Sequence, residues 1–255
     1  MDRFIQDAVH KAGAAVLKRF GKEGVHYVKS ARLFDVVTKS DLLAEKIIVN
    51  LIRQKYPEHS IISEERGSIN EGAPYVWIID PIDGTLNYSR GVAAFGVMIC
   101  LVKDGDVVLS AIDLPATNER FFAKAGKGAF RNGKRIKCSA ARRLNKSFGT
   151  GSTSMTDRAS TFLRNLMKAN GGGHSMFGSF ASMANNACYA AAGQRDWIVA
   201  LNGSIWDFAP AYLMLKEAGC KVTDTKGKPW KLGMLEIVAA NPILHKQLLK
   251  LTKNV

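Results

Sequence analysis

Apolar residues recur along the first part of the chain at the spacing of two amphipathic helices. Residues 2–20 place most of their apolar side chains near one helical face, and Gly21 follows them as a stop signal. Residues 41–56 repeat this pattern and end before Pro57, which cannot continue a helix. Both segments are therefore predicted to be helices that bury one face.

The pattern then changes to short apolar runs typical of strands. Residues 76–79 form a run that ends in an acid and a proline, which predicts a buried strand with polar residues at its C-terminal end. Residues 95–102 and 107–112 flank Lys103-Asp104-Gly105-Asp106, a hairpin signal. Residues 119–136 resemble further short strands with glycine turns. The middle of the chain is therefore predicted to be a sheet.

The second half mixes predicted helices with short strands. This order indicates an α/β fold whose layers share one active site, in one compact unit. A division near residues 140–150 separates an N-terminal α+β half, 1–145, from a C-terminal α/β half, 146–255. The predicted helices are 157–169, 180–192 and 207–218, and the predicted strands lie near 147–150, 196–200, 220–224 and 236–240.

Composition narrows the class of protein. The 255 residues are 47% hydrophobic and 23% charged, the ordinary balance of a globular protein with a sizeable core. No apolar stretch reaches the ~18 residues that span a membrane, and the N-terminus lacks the apolar segment of a signal peptide. The spacing of the four cysteines suggests neither a zinc site nor a redox motif, so we predict a soluble protein of the reducing cytoplasm. These cysteines are Cys100, Cys138, Cys188 and Cys220.

The chain is strongly basic, with a net charge of +14 and a pI near 9.7. Such a charge attracts phosphorylated metabolites, nucleic acid or acidic membrane surfaces. The densest clusters are Arg131 to Lys137 and Arg142 to Lys146. A solvated basic surface is the simpler interpretation. A basic RNA-associated regulatory protein is the rival from another class, although no aromatic-plus-basic binding motif supports it.

Other catalytic chemistries lack a motif. The five histidines are scattered, without metal-type spacing. Ser152 does not stand in a G-x-S-x-G elbow, which argues against a serine hydrolase. Gly171-Gly172-Gly173 follows a predicted helix rather than a strand, so it indicates a loop and not a nucleotide cradle.

The string D-P-I-D-G-T, which begins at Asp80, carries the main chemical signal. Pro81 has a fixed φ and no N–H, so it sets a rigid turn after the strand that can aim Asp80 and Asp83 into one space. Gly84 lets the backbone approach a ligand closely, and Thr85 presents a hydroxyl. The free N–H groups of these two residues can begin a short helix, a natural seat for phosphate.

Oxygen ligands without histidine or cysteine point to a hard cation. Magnesium prefers a few carboxylates, completed by water and by the phosphate oxygens of a substrate. A D-x-x-D pair alone also fits solvated turn acids. The complete string after an apolar strand is much more specific, so it predicts a magnesium site.

Three further acidic positions are candidates to complete this site. Glu64 and Glu65 follow a short apolar run, although an exposed Glu pair is common. Asp207, in Trp-Asp-Phe-Ala, begins an apolar helix, where it also fits a helix cap. Asp41 ends the string D-V-V-T-K-S-D ahead of the second helix, where it or Ser40 also fits a cap. Each has a structural alternative when taken alone.

Taken together and in this order, these four elements resemble the inositol monophosphatase family, the lithium-sensitive, magnesium-dependent phosphatases of sugars and nucleotides. D-P-I-D-G-T and W-D-x-A are its two signature regions, and the similar layout extends from the first helix to the final strand. The resemblance implies a layered α-β-α-β-α sandwich of the sugar phosphatase type. It also implies a homodimer and two or three magnesium ions.

The resemblance implies a role for each of these positions. Asp41 and Thr85 resemble the pair that orients and activates the attacking water, with Glu64 as a third catalytic residue. Lys29 resembles a lysine upstream of D-x-x-T-x-x-D, although its spacing differs slightly. The implied metal ligands are Glu64, Asp80, the carbonyl of Ile82, Asp83 and Asp207. The implied substrate-binding residues are Gly84, Thr85, Asp83 and Asp207.

The sequence departs from the pattern where the substrate is chosen. Inositol-specific members carry an acid seven residues before the W-D aspartate, a place taken here by Ala200. No acid lies between Asp196 and Asp207, and Asn202 or Ser204 is the candidate to bind a hydroxyl instead. We predict a magnesium-dependent phosphomonoesterase for a small sugar or polyol phosphate, similar to inositol monophosphate. Fructose 1,6-bisphosphate, histidinol phosphate and 3′-phosphoadenosine nucleotides stay open as substrates.

Overall fold

The computed structural model describes residues 1–29, 35–151, 156–171, 173–253 and 255. Two of the residues interpreted from the sequence lie outside the described part. They are Ser152, which does not stand in a G-x-S-x-G elbow, and Gly172, which is predicted to lie in a loop. The helices of the described part are α1 (Asp2–Arg19), α2 (Lys39–Lys55), α3 (Thr85–Ser89), α4 (Asp157–Asn170), α5 (Met183–Ala191), α6 (Ile205–Glu217) and α7 (Pro242–Thr252). The strands are β1 (Tyr27–Val28), β2 (Val36–Val37), β3 (Ser60–Ser63), β4 (Gly67–Ile69), β5 (Tyr75–Asp83), β6 (Gly96–Lys103), β7 (Asp106–Leu114), β8 (Glu119–Lys124), β9 (Gly128–Arg131), β10 (Lys134–Ile136), β11 (Phe148–Gly151), β12 (Met176–Phe177), β13 (Trp197–Ala200), β14 (Lys221–Thr223) and β15 (Ile237–Ala240).

The larger sheet has eight strands in the order β10-β9-β8-β7-β6-β5-β3-β4. Neighbouring strands pair antiparallel except for β3 and β5, which are parallel. The helices α1 and α2 lie on one face of this sheet and contact β5, β6 and β7. Their apolar stripes, including Ile5, Val16 and Ile48, are fully buried there, as the helical spacing predicts.

The helices α5 and α6 form the middle layer, because they contact both sheets. The second sheet has the order β12-β11-β13-β15-β14. Its far face is covered by α4 and α7, which meet in a third apolar cluster that contains Trp197 and Leu244. The layers therefore alternate helix, sheet, helix, sheet, helix. This arrangement confirms the predicted α/β class and the α-β-α-β-α sandwich.

Most predicted elements lie within a few residues of their observed bounds, and three differences matter. The strand predicted at 76–79 continues as β5 to Asp83, because both faces of the sheet are covered and the run stays buried. The strands β3 and β4, which flank Glu64, were not predicted, since they are short. The C-terminal helix α7 was not predicted either. The division at 145/146 stays a prediction.

The segment between the sheets, residues 137–147, is tied to the second sheet by polar contacts. The side-chain amide of Asn241 donates to the carbonyls of Ser139 and Ala141 at 2.9 and 2.8 Å. Its oxygen accepts from the N–H groups of Ile243 and Leu244 and so caps α7. Among the described helices, none is long and apolar enough to cross a membrane.

Asn241→Ala is expected to lower the free energy of unfolding by roughly 2–3 kcal/mol, a fall in Tm of about 4–10 °C. The change removes a helix cap and leaves two carbonyls without their donor. Thermal unfolding measures the effect. Asn50→Ala, the same change at an exposed position of α2, is the control and should leave the Tm nearly unchanged. Equal behaviour of the two variants would contradict the assignment.

Candidate active site

Three carboxylates meet at the C-terminal end of β5. Oxygen atoms of Asp80, Asp83 and Asp207 all lie within 4.8 Å of one another. Asp80 and Asp83 are buried, and the pairing of β5 with β6 is irregular between them. This irregularity ends the regular ladder where the carboxylates turn inward. Oδ1 of Asp80 is buried and has no hydrogen-bond partner among the described residues.

Asp83 is held by the N-terminus of α5. Its Oδ1 accepts from the N–H of Met183 at 2.9 Å, and its Oδ2 accepts from the N–H of Ala184 at 2.8 Å. The hydroxyl of Ser182, the N-cap of α5, also donates to Oδ2. Free N–H groups and the positive end of the helix dipole both favour a carboxylate at this place. The distant helix α5 therefore fixes the orientation of Asp83.

Asp41 and Asp207 occupy the same position on two different helices. Each is the third residue of its helix, and one oxygen of each carboxylate accepts from the backbone N–H of the N-cap residue. For Asp41 this donor is Thr38 at 2.8 Å, and for Asp207 it is Ser204 at 2.5 Å. The cap and the catalytic interpretation of these residues are therefore compatible, because the cap bond uses only one oxygen of each carboxylate.

The hydroxyl of Thr85 lies between two acceptors, Oδ1 of Asp41 at 3.0 Å and the carbonyl of Ile82 at 2.7 Å. Gly84 precedes it with φ +82°, a conformation that L side chains rarely adopt. A Cβ at Gly84 would lie 2.8 Å from the carbonyl oxygen of Ala94, so any side chain would clash. Glycine is thus required for the turn that brings Thr85 to Asp41.

Glu64 directly follows β3 beside this cluster, and its charge is close enough to raise the pKa of Asp80. Lys29 donates to Oε1 of Glu64 and pairs with Oε1 of Glu65, both at 2.7 Å. Although burial works against it, the nearby Glu64 and Glu65 raise the pKa of Lys29. The ammonium group therefore stays charged. The structure places Lys29 beside Glu64, and its match to the upstream lysine of the family stays a prediction.

Burial of several like charges makes this region costly to ionise. Burial raises the pKa of Asp80 well above its ordinary value, and the charges of Glu64, Asp83 and Asp207 add to that rise. Burial also raises the pKa of Asp83 to about 6, against the hydrogen bonds from α5. Burial and the charge of Asp83 raise the pKa of Asp207 to about 7. A nearby cation would stabilise the ionised form of each of these acids.

The donor set fits a hard divalent cation. The contributing atoms are carboxylate oxygens with a backbone carbonyl close by, and no histidine or cysteine belongs to the described group. The unpartnered Oδ1 of Asp80 is a second sign, because a buried carboxylate oxygen is expensive to leave without a partner. The residues present therefore fit magnesium.

A small cavity of about 120 Å³ opens beside Asp83 and Asp207. Its polar lining beyond these acids includes Ser179, Asn186 and Asn202. Ala200, at the position where inositol-specific members carry an acid, is fully buried in β13 and does not line the cavity. The candidate Asn202 does line it, whereas the backbone N–H of Ser204 binds Asp207.

Two supporting residues were not found from the sequence. Ser182 gives no local signal, because its partner Asp83 is distant in the chain. Glu45 is buried on α2, one turn after Asp41, and accepts from the N–H of Glu65 at 3.2 Å and from Nε of Arg66 at 3.0 Å. It thereby holds the segment that carries Glu64. Its position four residues after Asp41 is a signal that helical periodicity offers.

Comparisons with known proteins agree on one family. The family model described as the inositol monophosphatase family matches residues 1–255. A fructose-1,6-bisphosphatase/inositol-1-monophosphatase of Thermotoga maritima is 33% identical over 100% of this chain and 97% of its own. The Nus factor SuhB of Escherichia coli is 33% identical over 95% of this chain and 91% of its own. A solved structure of extragenic suppressor protein suhB from Bartonella henselae superposes with a TM-score of 0.90 at 32% identity, covering 99% and 98% of the two chains.

The layered fold, the carboxylate cluster and these relatives define the class of the protein, a phosphoric monoester hydrolase. The chain belongs to the inositol monophosphatase family. This membership confirms the resemblance found from the D-P-I-D-G-T and W-D-x-A strings. The roles of individual residues stay predictions.

Asp80→Asn is expected to stabilise the metal-free protein at pH 7.5 by roughly 1–3 kcal/mol, a rise in Tm of about 2–8 °C, because it removes one of several repelling charges. The same change should abolish most of the stabilisation by added magnesium. Thermal unfolding in chelator and in magnesium measures both effects. Asp106→Asn, at an exposed turn, should change neither.

The stability that Asp80→Asn adds to the metal-free protein should depend on pH in a defined direction. The folded pKa values of Asp83 and Asp207, about 6 and about 7, lie above the unfolded value. At pH values between the unfolded pKa and these folded pKa values, the folded state binds more protons than the unfolded state does. The stability of the metal-free protein therefore falls as pH rises from about 4 to 8. The advantage of Asp80→Asn should shrink at pH 5. If Asp80→Asn does not raise the Tm of the metal-free protein at pH 7.5, the proposed repulsion among the carboxylates is contradicted.

Proposed function

We propose that this chain is a magnesium-dependent phosphomonoesterase that hydrolyses a small sugar or polyol monophosphate, similar to inositol monophosphate. The observation that carries the proposal is the convergence of Asp80, Asp83 and Asp207, with one buried oxygen of Asp80 unpartnered among the described residues. Such a cluster suits a cation that itself binds phosphate oxygens.

The residues that would hold magnesium are Glu64, Asp80, Asp83, Asp207 and the carbonyl of Ile82. When bound, two or three ions would lower the pKa of a water and neutralise charge on the phosphate and on the leaving oxygen. Lys29 pairs with Glu64, so its ammonium group would lie beside one of these proposed metal ligands.

Asp41 and Thr85 are the proposed pair that orients the attacking water. The hydroxyl of Thr85 and Oδ1 of Asp41 lie 3.0 Å apart, so both can bind one water molecule on the same side of the cluster. Burial raises the pKa of Asp41 to about 6. A base with this pKa is mostly ionised at neutral pH and is still basic enough to take a proton from the attacking water.

The phosphate and the alcohol are proposed to bind on either side of the carboxylates. The N–H groups of Gly84 and Thr85 at the start of α3 would bind phosphate oxygens. The cavity beside Asp83 and Asp207 would take the alcohol, with Asn202 as a hydrogen-bonding partner for a hydroxyl. No cationic side chain lines this cavity within the described part of the chain, so a second phosphate would gain little there.

Phosphate release from a panel of monoesters tests the proposal, with magnesium varied and lithium added. The panel contains inositol 1-phosphate, fructose 1,6-bisphosphate, histidinol phosphate and 3′-phosphoadenosine 5′-phosphate. We expect magnesium-dependent release, fastest from inositol 1-phosphate, whose alcohol part carries no charge. Asp207→Asn should lower kcat/KM by roughly 100-fold or more, because it removes a proposed metal ligand.

Two controls separate the reaction from the choice of substrate. Asp106→Asn should retain full activity, since Asp106 is exposed and distant in sequence from the site. Asn202→Ala should raise KM for the polyol phosphate more than it lowers kcat, because it removes a contact to the alcohol and not to the phosphate. Activity that does not require magnesium, or an Asp207→Asn variant with normal turnover, would refute the proposed mechanism. A preference for fructose 1,6-bisphosphate would refute the proposed substrate but not the proposed reaction.

A homodimer and lithium sensitivity remain predictions from the resemblance, and a cytoplasmic location remains a prediction from the cysteine spacing. The second candidate function, association with RNA, is favoured by one observation. Residues 120–156 contain ten Lys and Arg residues and no Asp or Glu. Arg142, Arg143 and Lys146 of this stretch are exposed. Relatives named Nus factor SuhB are consistent with such a role, which would add to the phosphatase rather than replace it.

RNA binding at increasing salt tests this second candidate. Binding through a phosphate-contacting surface should weaken steeply with salt, and Arg142→Glu/Arg143→Glu should weaken it further and reduce the salt slope. Phosphatase activity should not change. Lys18→Glu/Lys22→Glu, the same charge reversal near the end of α1, is the control for net charge alone. Absence of binding even at low salt would remove the candidate.

A further inference from the structure

Two cysteines that are far apart in sequence meet in the structure. Cys138 follows β10 and Cys220 precedes β14, and their side chains lie close enough to shift each other's pKa. The N–H of Cys138 donates to the carbonyl of Ala218 at 2.8 Å. Its Sγ lies 3.8 Å from the place where a Cβ of Gly219 would stand. Backbone and side-chain contacts thus hold the segment around Cys138 against the turn between α6 and β14.

The two thiols differ in exposure and in acidity. Cys138 is half-buried and reachable from solvent, whereas only 8% of Cys220 is exposed. The interaction between the two thiols lowers the pKa of Cys138 and raises that of Cys220, and burial adds to the rise for Cys220. An accessible, more acidic thiol beside a second thiol is the arrangement of a reactive cysteine with its resolving partner.

The other two cysteines provide an internal comparison. Cys100 and Cys188 are fully buried. Burial raises the pKa of both thiols. They are therefore shielded from oxidants and are poor nucleophiles.

We propose that Cys138 and Cys220 form a redox-active dithiol, a modification site that closes to an internal disulfide when a peroxide oxidises it. The pair needs no large movement, because the N–H of Cys138 is already hydrogen-bonded to Ala218 and its Sγ already lies against Gly219, the residue before Cys220. This inference is independent of the proposed substrate and metal.

The chemistry is balanced by the peroxide. The Cys138 thiolate attacks one peroxide oxygen, the O–O bond breaks, and hydroxide leaves, which gives a sulfenic acid on Cys138. The Cys220 sulfur then attacks the sulfur of Cys138, the S–O bond breaks, and the released hydroxide takes the Cys220 proton to form water. Two thiols are oxidised by two electrons, and one peroxide is reduced. A thiol reductant reverses the change.

The disulfide would join the segment between the two sheets to the C-terminal end of α6. Asp207 lies at the opposite end of this helix, roughly 15–20 Å away at the rise of an α-helix. We therefore expect little change in phosphatase activity. The cross-link closes a long loop, so oxidation should raise the Tm by roughly 5–15 °C.

The experiment treats the native protein with a small excess of hydrogen peroxide, then counts thiols after denaturation and maps peptides without reduction. The four free thiols should fall to two, with a cross-linked peptide that joins Cys138 to Cys220. The Tm should rise and return after reduction. Four remaining thiols, or a cross-link between other cysteines, would overturn the proposal.

Matched variants make the test specific. Cys138→Ala, at the half-buried position, should keep its three thiols and show no rise in Tm. Cys188→Ala, the same change outside the pair, should fall from three thiols to one and keep the rise. Cys220→Ala should accumulate a sulfenic acid at Cys138 that dimedone captures. Loss of two thiols from Cys138→Ala would overturn the proposal even if Cys220→Ala fails to fold.

Discussion

Mutual repulsion among buried carboxylates is the constraint around which this protein is built. Asp80, Asp83 and Asp207 place oxygens within 4.8 Å of one another, in surroundings that raise the pKa of each acid. A cluster of this kind is unfavourable unless other groups hold it. The surrounding fold supplies such groups, and it keeps an arrangement that a free chain would avoid.

Helix N-termini provide much of this support. The start of α5 binds both oxygens of Asp83, while Asp41 and Asp207 lie in the first turns of α2 and α6. The same helices form layers of the sandwich, and α5 and α6 contact both sheets. Packing that stabilises the core therefore also orients the carboxylates. For this reason the fold and the site cannot be separated in this molecule.

In the proposed function, the reaction depends on the carboxylates and Thr85, and the choice of alcohol depends on Asn202. The carboxylates and Thr85 form one group, and Asn202 contributes an uncharged polar side chain to the cavity that Asp83 and Asp207 also line. The sequence identified the first group because D-P-I-D-G-T and W-D-x-A are local strings. It predicted that the residues from Ala200 to Ser204 select the alcohol. The structure excludes Ala200 from this set, because Ala200 is fully buried and does not line the cavity.

The sequence by itself determined the helical stripes, the central strands, the family and the identity of the acidic residues. These features depend on local spacing, which periodicity and short motifs record. Only the tertiary structure decided that Ser182 holds Asp83, that Glu45 supports the Glu64 segment, and that Cys138 meets Cys220. These contacts join residues far apart along the chain, and their geometry exists only once the layers have packed.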